Sequence, residues 1–288
     1  MKVVLFCGGL GLRMRRHPSR VPKPMERVGP RPILWHLMQY YAHYGHREFI
    51  LCLGYGGDVI ERYFVRDDSR STVVSARPGG STVRLRTRDT GEWTITLVAT
   101  GIHTTIGQRI KAIEPDLSGE EIFLANYTDG LSDLFLPDFV QRFRESGKVA
   151  GVLCVRPNST FHFASLGPDD VVEDLRHASH PDIWVNGGFF AFRREIFDYI
   201  ERDEDLVAAP FARLIAQKQL IGYRHQGFWA CMDTPKDKQI LQELHRQGRT
   251  PWKVWRRPPT PAGRPGAQPG GTGVTGAPHG HARISLRQ

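Results

Sequence analysis

KVVLFCGGLGLRMRRHPSRVPKPM, residues 2–25, is the stretch that decides the fold class. An apolar run (2–7) is followed by glycines and arginines, and the stretch ends with a lysine between two prolines. An uninterrupted apolar run that ends in glycine is typical of a buried strand in a parallel sheet. Glycines after such a strand let backbone N–H groups approach an anion, because no Cβ intervenes. The stretch therefore predicts a first strand followed by a phosphate-binding turn, with a ligand-free tight turn as the alternative.

Short apolar runs alternate with helix-like segments farther along the chain. The pattern predicts strands at 48–54, 121–127 and 149–155 and helices at 33–45, 58–64 and 136–147. Such alternation favours an α/β fold whose mainly parallel sheet has helices on both faces. Residues 66–98 differ, because they alternate with a period of two and contain turn-forming glycines. That section predicts antiparallel strands that are inserted into, or added to, the sheet.

Composition limits the classes of protein to which the chain can belong. Of the 288 residues, 40% are apolar, but no apolar run reaches the length of about 20 residues that spans a bilayer. The N-terminus lacks a signal-peptide cleavage site, and the four cysteines are scattered without a CxxC spacing. We therefore expect a cytoplasmic protein with reduced thiols, without a zinc site and without a membrane partner.

The positive charge of the chain is unevenly placed. Of the net charge of +9, five positive charges lie in residues 256–288, where 13 of 33 residues are Gly or Pro. This composition predicts a disordered Gly/Pro/Arg-rich tail behind a single catalytic domain, residues 1–255. The remaining +4 suits a protein that binds small anionic ligands. Nucleic-acid binding by the tail is not expected, because its arginines are sparse and no aromatic residues separate them.

The spacing of the glycines and the lysine matches neither of two common phosphate-binding motifs. A Walker A loop needs GxxxxGK[ST], and no lysine follows the glycines at that distance. A dinucleotide fingerprint needs GxGxxG, but the third glycine is missing and a Pro-Lys-Pro segment replaces the expected downstream acidic residue. The stretch that remains is GGLGLR (8–13), followed by PKPM (22–25).

This pair of motifs resembles the signature of the sugar nucleotidyltransferases. The resemblance extends over nearly all of residues 1–255 and includes FLANYTDGLSD (123–133), VNGGFF (185–190), GFWACMDTPKDK (227–238) and PWKVW (251–255). It implies a Rossmann-like, mainly parallel sheet of the nucleotide-diphospho-sugar transferase type. It also implies transfer of a nucleotidyl group from a nucleoside triphosphate to a sugar-1-phosphate, with release of pyrophosphate.

Within the family, the likeness is greatest to the members that use CTP and glucose-1-phosphate. Two alternatives stay open: the same chemistry with UTP, dTTP or another sugar-1-phosphate, and a non-catalytic homologue that binds a nucleotide sugar. The resemblance further implies a Mg²⁺ cofactor and a homo-oligomer, with 66–98 as a candidate oligomerisation section.

The resemblance assigns roles to individual residues. The catalytic cations would be Arg13, on the β and γ phosphates, and Lys23, near the α-phosphate. Asp129 and Asp233 would bind Mg²⁺, which is usually held by one or two carboxylates together with phosphates and water. The nucleotide would be bound by Gly8, Gly9, Leu10, Gly11, Thr104, Gly107 and Arg109, and the sugar phosphate by Tyr127, Thr128, Asn186 and Gly187.

Each of these residue types also has an ordinary structural explanation. Asp129 could be a turn residue, and Asp233 could cap the helix that follows it, although Thr234 could equally take that position. Arg109 could be a surface arginine at a helix start. The NGG of residues 186–188 could be a hairpin turn, and Tyr127 could simply end a strand.

The sequence departs from the family pattern at four places. Leu12 replaces a threonine, Thr128 replaces the glycine before the metal-binding aspartate, and 162–164 read HFA instead of RFG. The fourth departure is the absence of the EKP motif, whose lysine contacts the sugar phosphate. The cations in the matching region that could replace it are Arg176, His177 and His180.

Overall fold

The computed structural model describes residues 1–9, 21–65, 71–77, 80–87, 91–157, 162–177 and 183–256. These residues lie in one compact unit, Met1–Arg256. Its strands are β1 (Val3–Cys7), β2 (Arg27–Val28), β3 (Arg31–Pro32), β4 (Glu48–Leu53), β5 (Ser71–Arg77), β6 (Gly80–Thr87), β7 (Gly91–Ala99), β8 (Ile122–Tyr127), β9 (Gly130–Ser132), β10 (Ala150–Val155), β11 (His162–Leu166), β12 (Val172–His177), β13 (Val185–Arg193), β14 (Leu220–His225) and β15 (Trp229–Cys231). Its α-helices are α1 (Ile33–His43), α2 (Gly57–Phe64), α3 (Ile106–Ala112), α4 (Leu136–Ser146), α5 (Ala209–Ala216) and α6 (Pro235–Arg246).

Nine strands form the central sheet, in the order β14-β10-β13-β8-β1-β4-β7-β6-β5. β1 pairs in parallel with β4 and β8, and β4 pairs in parallel with β7. Within this sheet only β13 and β6 run against the other strands. The prediction of a mixed, mainly parallel α/β sheet is therefore confirmed, and the predicted strands and helices occur with ends within two residues of the expected positions.

The antiparallel section lies at one end of this sheet. β7 continues the parallel order beside β4, and β6 and β5 then extend the sheet in antiparallel fashion. Of the two arrangements that the sequence left open, the section is added to the sheet and not inserted between its parallel strands.

Two hydrophobic layers cover the sheet. One contains α1, α2 and α4, which contribute Leu37, Phe64 and Phe139. The other contains α3 and α5, which contribute Ile110 and Leu214. Because β1 and β8 are buried on both faces, almost every residue in them is apolar, as the sequence indicated. No helix in the described ranges is long and apolar enough to cross a membrane.

Candidate active site

The parallel strands end at a common edge of the sheet. Gly8 follows β1, Gly54 follows β4, Thr100 follows β7 and Thr128 follows β8. Ligands of open α/β sheets bind beyond the carboxyl ends of the strands. Gly8 and Thr128, which the sequence singled out, therefore lie at the edge where a ligand is expected.

Arg109 lies beneath the first glycine of the turn. Its side chain is 1% exposed, and a Cβ on Gly8 would overlap the guanidinium group. A Cβ on Gly54 would come within 2.8 Å of the Gly8 Cα and 3.1 Å of Arg109 Nη2. The two glycines are thus required for close packing around this arginine.

Within the described residues, the polar contacts of Arg109 are made with neutral groups. Nη1 donates to the Thr100 hydroxyl at 2.5 Å and to the Leu53 carbonyl at 3.3 Å, whereas the buried Nε has no partner among the described residues. Burial lowers the pKa of Arg109, which nevertheless stays protonated because a guanidinium titrates far above neutral pH. A buried cation without a carboxylate partner is costly, so an anionic ligand at this place would stabilise it.

Lys23 lies in a short 3-10 turn, Lys23–Met25, whose backbone is held on both sides. Pro24 and Met25 are buried, and the Met25 N–H donates to the Pro22 carbonyl at 2.8 Å. Pro22 packs so closely against Gly56 that a Cβ there would come within 2.9 Å of the proline ring. The lysine side chain therefore projects from a fixed base.

A two-stranded ribbon brings the two predicted metal ligands together. β9 pairs with β15, with Gly130 opposite Cys231, and the Met232 N–H donates to the Asp129 carbonyl at 2.8 Å. Asp129, which directly precedes β9, and Asp233, which follows β15, therefore lie at the same end of the ribbon. This pairing brings together two aspartates that are more than a hundred residues apart in the sequence.

The Lys23 ammonium bridges these two carboxylates. Nζ lies 2.6 Å from Asp129 Oδ2 and 2.5 Å from Asp233 Oδ1, and the three side chains are 18%, 26% and 38% exposed. Burial alone would lower the pKa of Lys23, but the attraction and hydrogen bonds of the aspartates outweigh it and raise this pKa. One oxygen of each aspartate is thus directed at the same ammonium group.

The donor set fits Mg²⁺. This hard cation prefers oxygen ligands and is commonly held by one or two carboxylates plus substrate phosphates, with water completing its shell. The described residues contain no group of three or more His, Cys, Asp or Glu that could hold a metal. Two aspartates whose oxygens converge on one ammonium match the sparse protein ligation that Mg²⁺ accepts.

The predicted sugar-side residues lie on β8 and β13, except Thr128, which directly follows β8. Asn186 and Gly187 are within β13, and Gly188 has φ +77°, where a register shift occurs between β10 and β13. A Cβ on Gly188 would come within 2.8 Å of the Tyr127 ring. The Gly188 N–H donates to Asn186 Oδ1 at 2.8 Å, which fixes the Asn186 amide at the entrance of the strand.

The structure decides between several of the alternatives. The hairpin interpretation of residues 186–188 is wrong, because they belong to a strand. Arg109 is buried, so the surface interpretation is wrong as well. Thr234, not Asp233, caps α6, since its hydroxyl accepts from the Asp237 N–H. Asp233 is thereby left out of the cap.

Other predicted residues make contacts that stabilise the fold. The Thr128 side chain is buried, and its hydroxyl donates to the Phe6 carbonyl at 3.0 Å. Gly107, in the first turn of α3, lies against the Glu204 carbonyl, within 2.5 Å of where a Cβ would stand. The Thr104 hydroxyl donates to the Thr100 carbonyl at 2.6 Å. Gly9 is exposed beyond β1, whereas Leu10, Gly11 and Arg13 lie outside the described residues.

Known proteins are similar to this chain over most of its length. The chain is 32% identical over 256 residues to a glucose-1-phosphate cytidylyltransferase of Salmonella typhimurium, covering 88% of this chain and all of that protein. It is 34% identical over 257 residues to the "Probable glucose-1-phosphate cytidylyltransferase" of Bacillus subtilis, with the same coverage.

The chain belongs to the sugar nucleotidyltransferase family. Among solved structures, HddC from Yersinia pseudotuberculosis, complexed with GMP-PN, superposes with a TM-score of 0.60 at 17% identity. That match covers 85% of this chain and 99% of HddC, and it supports the shared fold. No family model matches the chain.

One group at the site of this nucleotidyltransferase was missed by sequence reasoning. Arg156 follows β10 at the same sheet edge and stacks on Trp184, with its Cζ 3.9 Å from the ring centroid. Arg224, from the neighbouring β14, lies 5.6 Å from the same ring. Trp184 stands two residues before Asn186. The position of Arg156 directly after a predicted strand was the available signal.

The cations that the sequence offered in place of the missing lysine lie elsewhere or are engaged. Arg176 belongs to the β11–β12 hairpin, a separate two-stranded sheet, and it pairs with Asp174. His177 ends β12, and His180 lies outside the described residues. Arg156, which directly follows β10 and the pair of Val155 with Val185, is a described cation at the edge of the sheet where Asn186 lies.

Proposed function

We propose that this protein is a nucleotidyltransferase that forms CDP-glucose from CTP and glucose-1-phosphate and releases pyrophosphate. The observation that carries the proposal is the convergence of Lys23, Asp129 and Asp233 beside the glycine turn after β1. The choice of CTP and glucose-1-phosphate follows the relatives, whose names specify that reaction.

In the proposed reaction, a phosphate oxygen of the sugar-1-phosphate attacks the α-phosphorus of the nucleoside triphosphate. The bond between the α-phosphorus and the bridging oxygen breaks, and pyrophosphate leaves with the electron pair. Two polyanions must approach each other, so the protein has to supply positive charge and in-line positioning more than covalent chemistry. Lys23 would stabilise the charge that develops on the α-phosphate.

Asp129 and Asp233 would hold Mg²⁺. The bound ion would supply charge neutralisation for the triphosphate and its leaving group. Arg109 would offer the nucleotide a buried guanidinium below the glycine turn, against which Gly8 and Gly54 pack without a Cβ. Arg13 stays a predicted ligand of the β and γ phosphates.

The sugar side of the site would be built by β8, β10 and β13. Asn186 would contact sugar hydroxyls, and Tyr127, whose ring lies against Gly188, would pack against the sugar ring. We assign the phosphate of the sugar to Arg156, whose stacking on Trp184 holds the guanidinium plane at this edge. This assignment replaces the lysine that the family motif would provide.

A panel assay tests the function. Four nucleoside triphosphates are combined with several sugar-1-phosphates in the presence of Mg²⁺, and pyrophosphate release is measured. We expect the highest kcat/KM for CTP with glucose-1-phosphate, and losses of at least about 100-fold in kcat for Lys23→Ala and for Asp129→Asn. The exposed Lys236→Ala, on the first turn of α6, is the matched control.

Different failures have different meanings. Turnover with another pair of substrates would support the nucleotidyl-transfer reaction but contradict the proposed specificity for CTP and glucose-1-phosphate. Nucleotide binding without turnover in any combination would favour a non-catalytic homologue. Full activity in either site variant would contradict the role of that residue.

A further inference from the structure

The side chain of Lys23 occupies the place between the two carboxylates assigned to the metal. Its Nζ contacts Asp129 at 2.6 Å and Asp233 at 2.5 Å. Hydrogen bonds between an ammonium and a carboxylate are roughly twice as strong as neutral ones. A metal that uses the same two oxygens must therefore break two strong contacts before it can bind.

The backbone of the Lys23–Met25 turn is fixed, so it cannot move together with the Lys23 side chain when that side chain leaves the aspartates. Pro22 and Pro24 restrict it, Met25 is buried, and the Glu26 N–H donates to the Lys23 carbonyl at 3.1 Å. The Glu26 carboxylate is in turn held by Lys238 at 2.6 Å. Motion is left to the four-carbon stem of Lys23, whose rotatable bonds allow the ammonium to move several ångströms from a fixed Cα.

We propose that Lys23 is an internal competitor of the metal: it neutralises Asp129 and Asp233 in the ligand-free protein and is expelled when a divalent cation binds. The proposal rests on the metal assignment in the proposed function. Because Lys23 closes a fraction of the sites, the apparent dissociation constant of the metal equals its intrinsic value divided by the fraction of sites that stay open.

Expulsion also delivers the lysine to its catalytic position. The ammonium of Lys23 would be repelled by a divalent cation held by Asp129 and Asp233, because like charges a few ångströms apart interact strongly in a partly buried site. The released ammonium then finds its nearest anion in the phosphates that accompany the metal. Lys23 thus reaches the reacting phosphate only after metal and nucleotide have arrived, which couples metal loading to catalytic competence.

Mn²⁺ binding to the protein without nucleotide or sugar phosphate tests this competition. Free Mn²⁺ is followed by electron paramagnetic resonance with the wild-type chain, Lys23→Met and Lys238→Met. Methionine keeps the length of the stem and removes the ammonium. We expect Lys23→Met to bind Mn²⁺ at least about tenfold more tightly than wild type.

Lys238→Met is the matched control, since it removes one nearby ammonium from a carboxylate pair of the same length that is not assigned to the metal. Its affinity for Mn²⁺ should stay within about twofold of wild type. Equal affinity in the Lys23 and Lys238 variants would overturn the competition while leaving the metal site intact. An absence of Mn²⁺ binding in all three proteins would overturn the metal assignment together with it.

A second measurement uses the unmodified sequence and does not depend on the stability of a variant. The wild-type protein is treated with an amine-reactive label with and without saturating Mn²⁺, and Lys23 labelling is read by peptide mass spectrometry. The Lys23 side chain is 18% exposed, so we expect its labelling to increase severalfold when Mn²⁺ displaces it. Unchanged labelling of Lys23 at saturating Mn²⁺ would contradict the expulsion.

Discussion

Arg109 and Arg156 are two cations that the fold places at different strands of one sheet edge. Arg109 lies against the turn after β1 and is 1% exposed, whereas Arg156 follows β10 and stacks on Trp184. If the nucleotide lies over β1 and the sugar phosphate near β13, each arginine serves one substrate. Removing either should therefore affect one KM and spare the other.

Substitution by methionine in each position tests this division. We expect Arg109→Met to raise the KM for the nucleoside triphosphate at least about 30-fold, and Arg156→Met to do the same for the sugar-1-phosphate, since truncating one partner of a buried charge pair costs about 2–5 kcal/mol. Steady-state kinetics with each substrate varied in turn gives both constants, and each variant is the control for the other. Parallel losses in both constants for either variant would contradict the division.

We also expect Arg109→Met to leave the stability of the protein nearly unchanged. The Leu53 carbonyl keeps two donors, the Thr100 N–H at 3.0 Å and the Thr100 hydroxyl at 2.9 Å, after the guanidinium is removed. Replacing a buried charge by an apolar chain of similar length is often neutral or stabilising. The free energy of unfolding without ligands should therefore not fall by more than about 1 kcal/mol, as measured in urea.

The residues of the site differ in how far the sequence could predict them. Lys23, Asp129 and Asp233 follow recognisable patterns, but their contact depends on the pairing of β9 with β15, which has no local signal. Arg156 was missed because its partner Trp184 is distant in the chain, and a cation–π contact exists only after the sheet forms. Local patterns predict residue types at strand ends, whereas tertiary pairing determines which of them meet.

At the scale of elements, the start of α6 positions Asp233. Asp237 Oδ2 accepts from the Thr234 N–H at 2.7 Å and from the Asp233 N–H at 3.1 Å. Thr234 in turn accepts from the Asp237 N–H, so the two residues form a reciprocal cap. The cap therefore also fixes the backbone of the proposed metal ligand, which directly precedes the capping residue Thr234.

We expect Asp237→Ala to lower both stability and catalysis. The loss of the cap should cost about 1 kcal/mol of the free energy of unfolding, and freer motion of Asp233 should lower kcat and weaken Mn²⁺ binding severalfold. Asp237→Asn, whose amide oxygen can still accept both N–H groups, should restore most of both. Equal effects of the alanine and asparagine variants would show that charge, not the cap, is responsible.

The elements themselves were predicted more successfully than their arrangement. Apolar runs bounded by glycine predict β1, β4 and β8 because a strand that is buried on both faces must be apolar throughout. The order β8-β1-β4-β7, by contrast, follows from helix crossovers and from packing between layers. The same limit applies to β5 and β6, whose alternating pattern predicts strands but does not indicate which edge they extend.

At the scale of the whole molecule, the last segment of the compact unit, residues 251–255, packs against the layer around α1. Trp252 is 1% exposed, and its ring lies 5.6 Å from Phe228 and 6.3 Å from His36. Trp255 packs on Trp35 with ring centroids 6.2 Å apart. Residues 251–255 thus contribute to the layer around α1, whereas the composition of 257–288 offers little apolar surface to bury.

Two truncations at neighbouring positions test the proposed boundary. A chain that ends at Arg256 should keep kcat within about twofold and its free energy of unfolding within about 0.5 kcal/mol, because it retains every described residue. A chain that ends at Thr250 loses the buried Trp252, and removal of a buried tryptophan costs about 3–5 kcal/mol. Urea unfolding and the pyrophosphate assay measure both chains. If removal of 257–288 alone abolished activity or unfolded the protein, the catalytic unit would have to include the tail, and the boundary derived from composition and compactness would be wrong.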